Sequence, residues 1–211
     1  MMDFQRFITQ LEITITNDLP SEKSQQKMRV NYDQSIELPF SINNSTPAAV
    51  LILLYLEDNE IHFFLTKRSN ELEHHKGQIS LPGGTQEENE KLTHTALRET
   101  QEEIGINKTS ISIIGSMTPL FVPVTGFMIN PFIGYSLNKL EPTPDPLEVE
   151  AIFSVNISDL LNEANRTIEQ RNIRGYDVEV PYFKLNNYEV WGATSMILSE
   201  FRDLIKSINE K

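Results

Sequence analysis

The stretch "LPGGTQEENEKLTHTALRETQEEIGI", Leu81 to Ile106, carries six glutamates, and Glu99, Glu102 and Glu103 stand almost together. Thr93–Ile104 has no proline or glycine and is rich in helix formers, so it is predicted to be helical, with Gly105 as the left-handed stop. On that helix the three glutamates fall at i, i+3 and i+4 and share one face. Their mutual repulsion costs a few tenths of a kcal/mol per exposed pair, about 0.2–0.5, and a bound divalent cation reverses its sign.

The chain has no cysteine, and its adjacent His74 and His75 are poorly placed to converge on one ion, so the carboxylates favour a hard cation, Mg²⁺ or Mn²⁺, over zinc. Such sites leave coordination positions for water and phosphate oxygens. Upstream, Pro82–Gly84 forces a tight turn that lets backbone approach a ligand, and the Gly84 carbonyl is a candidate fourth metal donor. Arg98, four residues before Glu102, is placed to pair with that carboxylate and fix its direction.

Gly84, five residues, Glu90, seven residues and then "RETQEEIGI" is similar to the Nudix box, G-x5-E-x7-R-E-U-x-E-E-x-G-U, where U is a bulky aliphatic residue. Every charged and glycine position matches, and Thr100 at the first U position departs from it. The resemblance implies an α/β/α sandwich around a mixed β-sheet and hydrolysis of a nucleoside diphosphate linked to another moiety. It implies Glu99, Glu102 and Glu103 as ligands of Mg²⁺ or Mn²⁺, with Arg98 orienting them and one carboxylate activating water. Glu90, Arg98, Glu99 and Glu102 are thereby the candidate catalytic residues. Proteins of this family often add a carboxylate from beyond the box, for which Glu148 and Glu150 in the Pro-rich loop "PTPDPLEVEAIF" are candidates.

The flank "FLTKRSNELEHHKGQISLPGG", Phe64–Gly84, is similar to the coenzyme A pyrophosphatase branch through Leu65, Thr66, Arg68, Ser69, Gly77, Pro82, Gly83 and Gly84. Glu73 and Leu81 depart from that branch's usual Arg and Phe. The runs "VPVTGFMINPFIGY" and "VWGATSMIL" also look like it. The implied reaction cleaves coenzyme A or a derivative to 3′,5′-ADP and phosphopantetheine. Lys67, Arg68, His74, His75 and Lys76 form the basic cluster nearest the box and are expected to meet phosphate; Arg68, Lys67, Ser69, Gly83 and Gly84 are the candidate substrate-binding residues. A sister reading substitutes ADP-ribose or another nucleoside-diphosphate sugar. A reading from another class is a non-catalytic nucleotide-binding module, against which the intact glutamates count.

With 211 residues and 39% hydrophobic content the chain can bury a substantial core. A formal net charge of −12 argues against nucleic acid or an anionic membrane as partner. Without a leader-like start or a long apolar run, a soluble cytoplasmic protein is expected, with a small-molecule nucleotide as its partner and a homodimer among the assemblies allowed. Residues 1–45 read as an N-terminal extension whose helix spans "FQRFITQLEITI" and packs on a main domain of residues 46–211. In that domain "AAVLILLYL" and "IHFFLTKRS" read as a central hairpin, one strand apolar on both faces. Ser110–Met117, Ile129–Leu137 and Glu150–Ile157 read as further strands. "SDLLNEANRTIE" (Ser158–Glu169) and "ATSMILSEFRDLIKSINE" read as helices, giving a helix–sheet–helix sandwich.

Overall fold

The computed structural model of the chain describes residues 4–17, 19–31, 39–69, 77–173 and 175–209. The central hairpin joins β1 (Thr46–Glu57) to β2 (Glu60–Arg68) through Asp58 and Asn59, both at positive φ, 50° and 64°. This is the two-residue turn whose twist suits a β-hairpin. β1 is buried on both faces: Ala49, Leu51, Leu53 and Tyr55 enter one core cluster while Ile52 and Leu54 enter the other. That pattern marks a strand covered on both sides.

The hairpin strands pair directly only from Leu54 to Glu57, on the β1 side, and then diverge. The gap takes β3 (Ile79–Ser80), which pairs with Thr66 and Lys67 of β2, and β4 (Gly83–Thr85), which pairs with Ala48–Val50 of β1. Two helices precede the hairpin, α1 (Phe4–Asn17) and α2 (Ser21–Gln25), and after β4 the chain forms the glutamate helix α3 (Leu92–Ile104). Then follow β5 (Ser112–Ser116), β6 (Leu120–Val122), β7 (Phe127–Tyr135), β8 (Val149–Asn156) and the short α4 (Ile157–Leu161). β7 runs parallel to β1 and the remaining pairings of this sheet are antiparallel, which makes the eight-stranded sheet mixed.

α3 covers one face of the sheet. α1 and the C-terminal helix α5 (Gly192–Asn209) cover the other, where Phe7, Leu11, Phe201 and Leu204 join Phe63 and Leu65 in one core. The result is the expected α/β/α sandwich with helices at the N-terminus. The tie between α2 and α5 is also polar: buried Glu200 accepts hydrogen bonds from Gln25 Nε2 (2.9 Å), Ser21 N (3.1 Å) and Thr118 Oγ1 (2.6 Å). No helix among the described residues is long and apolar enough to cross a membrane.

One expected helix is corrected. In Ser158–Glu169 only the first turn is α4; Glu163–Asn165 is a 3₁₀ turn and Arg166 opens β9 (Arg166–Ile173). β9, β10 (Tyr176–Leu185) and β11 (Tyr188–Trp191) form a separate antiparallel sheet. Its turn at Asn186–Asn187 again has two positive φ angles, 48° and 65°. β9 is an edge strand whose centre, Ile168, Glu169 and Gln170, is exposed, so its sequence shows no apolar alternation to betray it.

Candidate active site

α3 ends at Gly105, whose φ of 70° is the left-handed stop expected there, with its N–H on Gln101 O at 3.0 Å. Thr100, at the departure from the box, is fully buried and donates to Ala96 O at 2.7 Å, so its hydroxyl is satisfied within the helix.

The glycines of β4 bring the helix face and the sheet into contact. A Cβ on Gly84 would lie 2.4 Å from Glu99 Oε2, and one on Gly83 would lie 2.3 Å from the Ala49 carbonyl oxygen. Gly83, at φ 154°, also donates its N–H to Glu103 Oε2 at 3.3 Å. The two glutamates therefore hold the wedge from the α3 side, and only glycine leaves room.

Arg98 is the hub. It binds Glu90 bidentately, Nε to Oε1 at 3.0 Å and Nη2 to Oε2 at 3.1 Å, and reaches Glu99 Oε1 at 2.8 Å, Glu102 Oε2 at 2.9 Å and Thr85 O at 3.1 Å. Glu90 also accepts from Thr95 Oγ1 at 2.7 Å. This grip, Arg98 foremost, lowers the Glu90 carboxyl to about 2.

Glu103 is 2% exposed, and burial pushes its carboxyl up to about 8 against the opposing pull of Arg68 and the Gly83 N–H. Arg68 Nη1 is 3.5 Å from Glu103 Oε1. Burial also raises Glu99, offset by Arg98. Glu102 is the outermost of the three, its side chain 55% exposed. Glu148 repels both Glu99 and Glu103 electrostatically, whereas Glu150 is paired with Lys67. Glu148, from the loop, thus acts on the cluster through its charge.

Among the described residues no three acidic or imidazole groups already enclose a cation-sized space. Arg98 Nη1, bonded to both Glu99 and Glu102, holds them as an ion-pair network. The donors nonetheless fit Mg²⁺ or Mn²⁺: carboxylate oxygens against a glycine backbone, with no thiol in the chain.

Gly83, Gly84 and Arg68 line a cleft of about 1100 Å³, with Val50, Val122, Phe127, Ile129, Trp191 and Ile197 among its apolar walls. Lys67 and Ser69 are not on this wall. Lys67 pairs with Glu150, and buried Ser69 donates its backbone N–H to Glu148 O at 2.8 Å. Of the expected basic cluster, the described members Lys67 and Arg68 thus part, Arg68 lying against Glu103 and Lys67 against Glu150; His74, His75, Lys76 and Glu73 lie outside the described residues. Trp191, in the run "VWGATSMIL", lies on the cleft wall, where the Asn186–Asn187 hairpin carries β11.

A family model described as the NUDIX domain matches residues 45–174. Nudix hydrolase 15, mitochondrial, of Arabidopsis thaliana is 38% identical over 159 residues, covering 72% of this chain and 55% of that protein. Nudix hydrolase 3 of Caenorhabditis elegans is 33% identical over 175 residues, covering 74% and 72%. The chain spans about half the length of the Arabidopsis relatives it matches, 55% and 52%. Among solved structures, a Nudix hydrolase from M. smegmatis, RenU, superposes with a TM-score of 0.56 at 15% identity over 77% of this chain and 87% of that one. A C. elegans Ap4A hydrolase binary complex gives 0.53 at 18% identity over 77% and 98%. These two likenesses speak for the fold. Together with the glycine wedge, the glutamate helix and the Arg98 hub, the match over 45–174 shows that the chain belongs to the Nudix family.

Proposed function

We propose that the chain is a divalent-metal-dependent pyrophosphohydrolase that cleaves the diphosphate of coenzyme A or its derivatives to 3′,5′-ADP and (acyl-)phosphopantetheine. The observation that carries this reading is the cleft: Arg68, Gly83 and Gly84 at one part of it, beside the glutamates, and long apolar walls beyond. A diphosphate flanked by an extended, weakly polar arm matches that division.

In this reading Glu99, Glu102 and Glu103, with the Gly84 carbonyl, would hold Mg²⁺ or Mn²⁺, and Glu148, whose charge acts on Glu99 and Glu103, is a candidate for a further role. A cation held there would supply the positive charge that lowers the pKa of a water molecule and offsets charge on the departing phosphate. Arg98 keeps the glutamates directed, with Glu90 fixing Arg98 in turn. Arg68 meets the diphosphate, and a neighbouring glutamate takes the proton of the attacking water. The β4 backbone, having no side chains at Gly83 and Gly84, admits the phosphates closely.

The deciding experiment incubates the protein and Mg²⁺ or Mn²⁺ with coenzyme A, ADP-ribose, NADH, diadenosine polyphosphates and nucleoside triphosphates, and identifies products by mass. Fastest release of 3′,5′-ADP from coenzyme A is expected; faster ADP-ribose hydrolysis rejects the coenzyme A assignment. Turnover by Glu102→Gln or Glu103→Gln should fall on the order of 10²-fold, and normal turnover in both at saturating metal rejects the metal site. A cytoplasmic setting is part of the same proposal and is checked by localising a tagged chain.

A further inference from the structure

The cleft continues into a smaller cavity of about 320 Å³, and the two share Val122, Val124, Trp191, Gly192 and Ala193. The far wall of this second cavity comes from the N-terminal segment, through Glu22, Gln25, Gln26, Arg29 and Val30. Arg29 stands there between two anchors. Met28 is fully buried, and Val30 packs with Val178 and Val180 under the second sheet. Arg29 itself is in extended conformation, φ −75° and ψ 135°, and exposed. Its backbone is therefore fixed while its side chain projects.

The cations nearest in chain or function are engaged: Lys27 binds Asp203 at 2.6 Å, and Arg68 lies against Glu103. The Arg29 guanidinium has no hydrogen bond or ion pair among the described residues, and Glu22, the acid on the same cavity, does not pair with it. An arginine held on a groove wall, without a partner among the described residues, in a protein of net charge −12, is available to an anion.

We propose that Arg29 is a specificity-determining residue that binds a phosphate monoester of the substrate remote from the scissile diphosphate. This deepens the coenzyme A reading and rests on it: the group in question is the 3′-phosphate, which dephospho-coenzyme A lacks. Arg68, beside Glu103 and the β4 glycines at the other end of the cleft, serves the diphosphate instead. The N-terminal segment thereby becomes part of the binding site and not only of the core.

The test compares the unaltered protein with Arg29→Gln and Arg29→Lys on coenzyme A and dephospho-coenzyme A, and measures 3′,5′-ADP and 5′-AMP binding by calorimetry. Arg29→Gln should lose about tenfold in kcat/KM on coenzyme A, through KM with kcat held, because a charge-assisted contact is lost. On dephospho-coenzyme A it should change little, and its preference for 3′,5′-ADP over 5′-AMP should vanish, with Arg29→Lys retaining part. Equal losses on both substrates, or no loss on either, overturn the proposal. Should the unaltered protein not hydrolyse coenzyme A, the proposed function fails by itself. The calorimetric arm then decides the role of Arg29: a 3′,5′-ADP preference abolished in Arg29→Gln upholds the phosphate contact, and any other result overturns it.

Discussion

The Cα of Gly84 stands so close to the Glu99 carboxylate that a Cβ there would lie 2.4 Å from one oxygen. The strand cannot easily retreat, because Gly84 is in register with Ala49 and the Pro82 carbonyl accepts from Leu51 N at 2.9 Å. Gly84→Ala must therefore displace Glu99. Turnover should drop by about 10²-fold and Mn²⁺ affinity should weaken, with far-UV dichroism unchanged. Unaltered Mn²⁺ binding in a calorimetric titration would remove Glu99 and Gly84 from the metal site.

Glu90 and Arg98 make a separable contribution to acid stability. The folded Glu90 carboxyl titrates near 2, against its ordinary 4.5, with Arg98 as the chief cause. A lowered carboxyl stabilises the fold above the unfolded value and loses that contribution as pH falls through the folded one. Glu90→Gln should thus be less stable at pH 7, with the gap to the unaltered protein closing between about pH 4.5 and 2. Urea midpoints taken across that range check it, and a gap that does not vary with pH contradicts it.

Glu103 has the opposite sign. Its folded value is about 8 against an ordinary 4.5, so the folded chain holds a proton there that the unfolded chain releases. Without metal, that neutral form confers its stability below about pH 4.5, and stability declines as pH rises toward 8. In EDTA, Glu103→Gln should melt progressively higher than the unaltered protein from pH 5 to 8, since the amide carries no charge to bury. Added Mg²⁺ should reverse the order by stabilising the unaltered protein more. Parallel melting curves for the two proteins across this range would rule out a buried, proton-holding Glu103.

The glutamate face, its glycine stop and the hairpin were legible in sequence because each rests on local rules: helical spacing, a left-handed terminus, and apolar residues alternating into two cores along β1. The second sheet was not. β9 is a polar edge strand, Pro181 interrupts the strand pattern of β10, and helix-compatible residues run from α4 into Arg166. The Asn186–Asn187 pair between "YFKL" and "YEVW" was the available signal for a hairpin. Missing that hairpin hid the place of Trp191 on the cleft. The position of Arg29 depends on contacts between distant segments, Val30 with Val178 and Val180, which no local spacing reveals.

Arg68 is where sequence and geometry part most usefully. Its neighbours in the chain suggest a basic cluster for phosphate, but strand β2 sends Lys67 to Glu150 while Arg68 lies against buried Glu103. A guanidinium 3.5 Å from that carboxylate and lining the cleft with Gly83 and Gly84 belongs with the diphosphate. Every substrate of the proposed reaction has that group, so Arg68→Ala should reduce kcat/KM equally on coenzyme A and dephospho-coenzyme A, by roughly ten- to a hundred-fold for one charge-assisted contact. The loss should persist at high substrate if Arg68 also steadies charge as the bond breaks. Arg29→Gln, assayed beside it, should discriminate between the same two substrates. A loss confined to coenzyme A in Arg68→Ala would return the remote phosphate to Arg68 and leave the diphosphate to the metal and the β4 backbone.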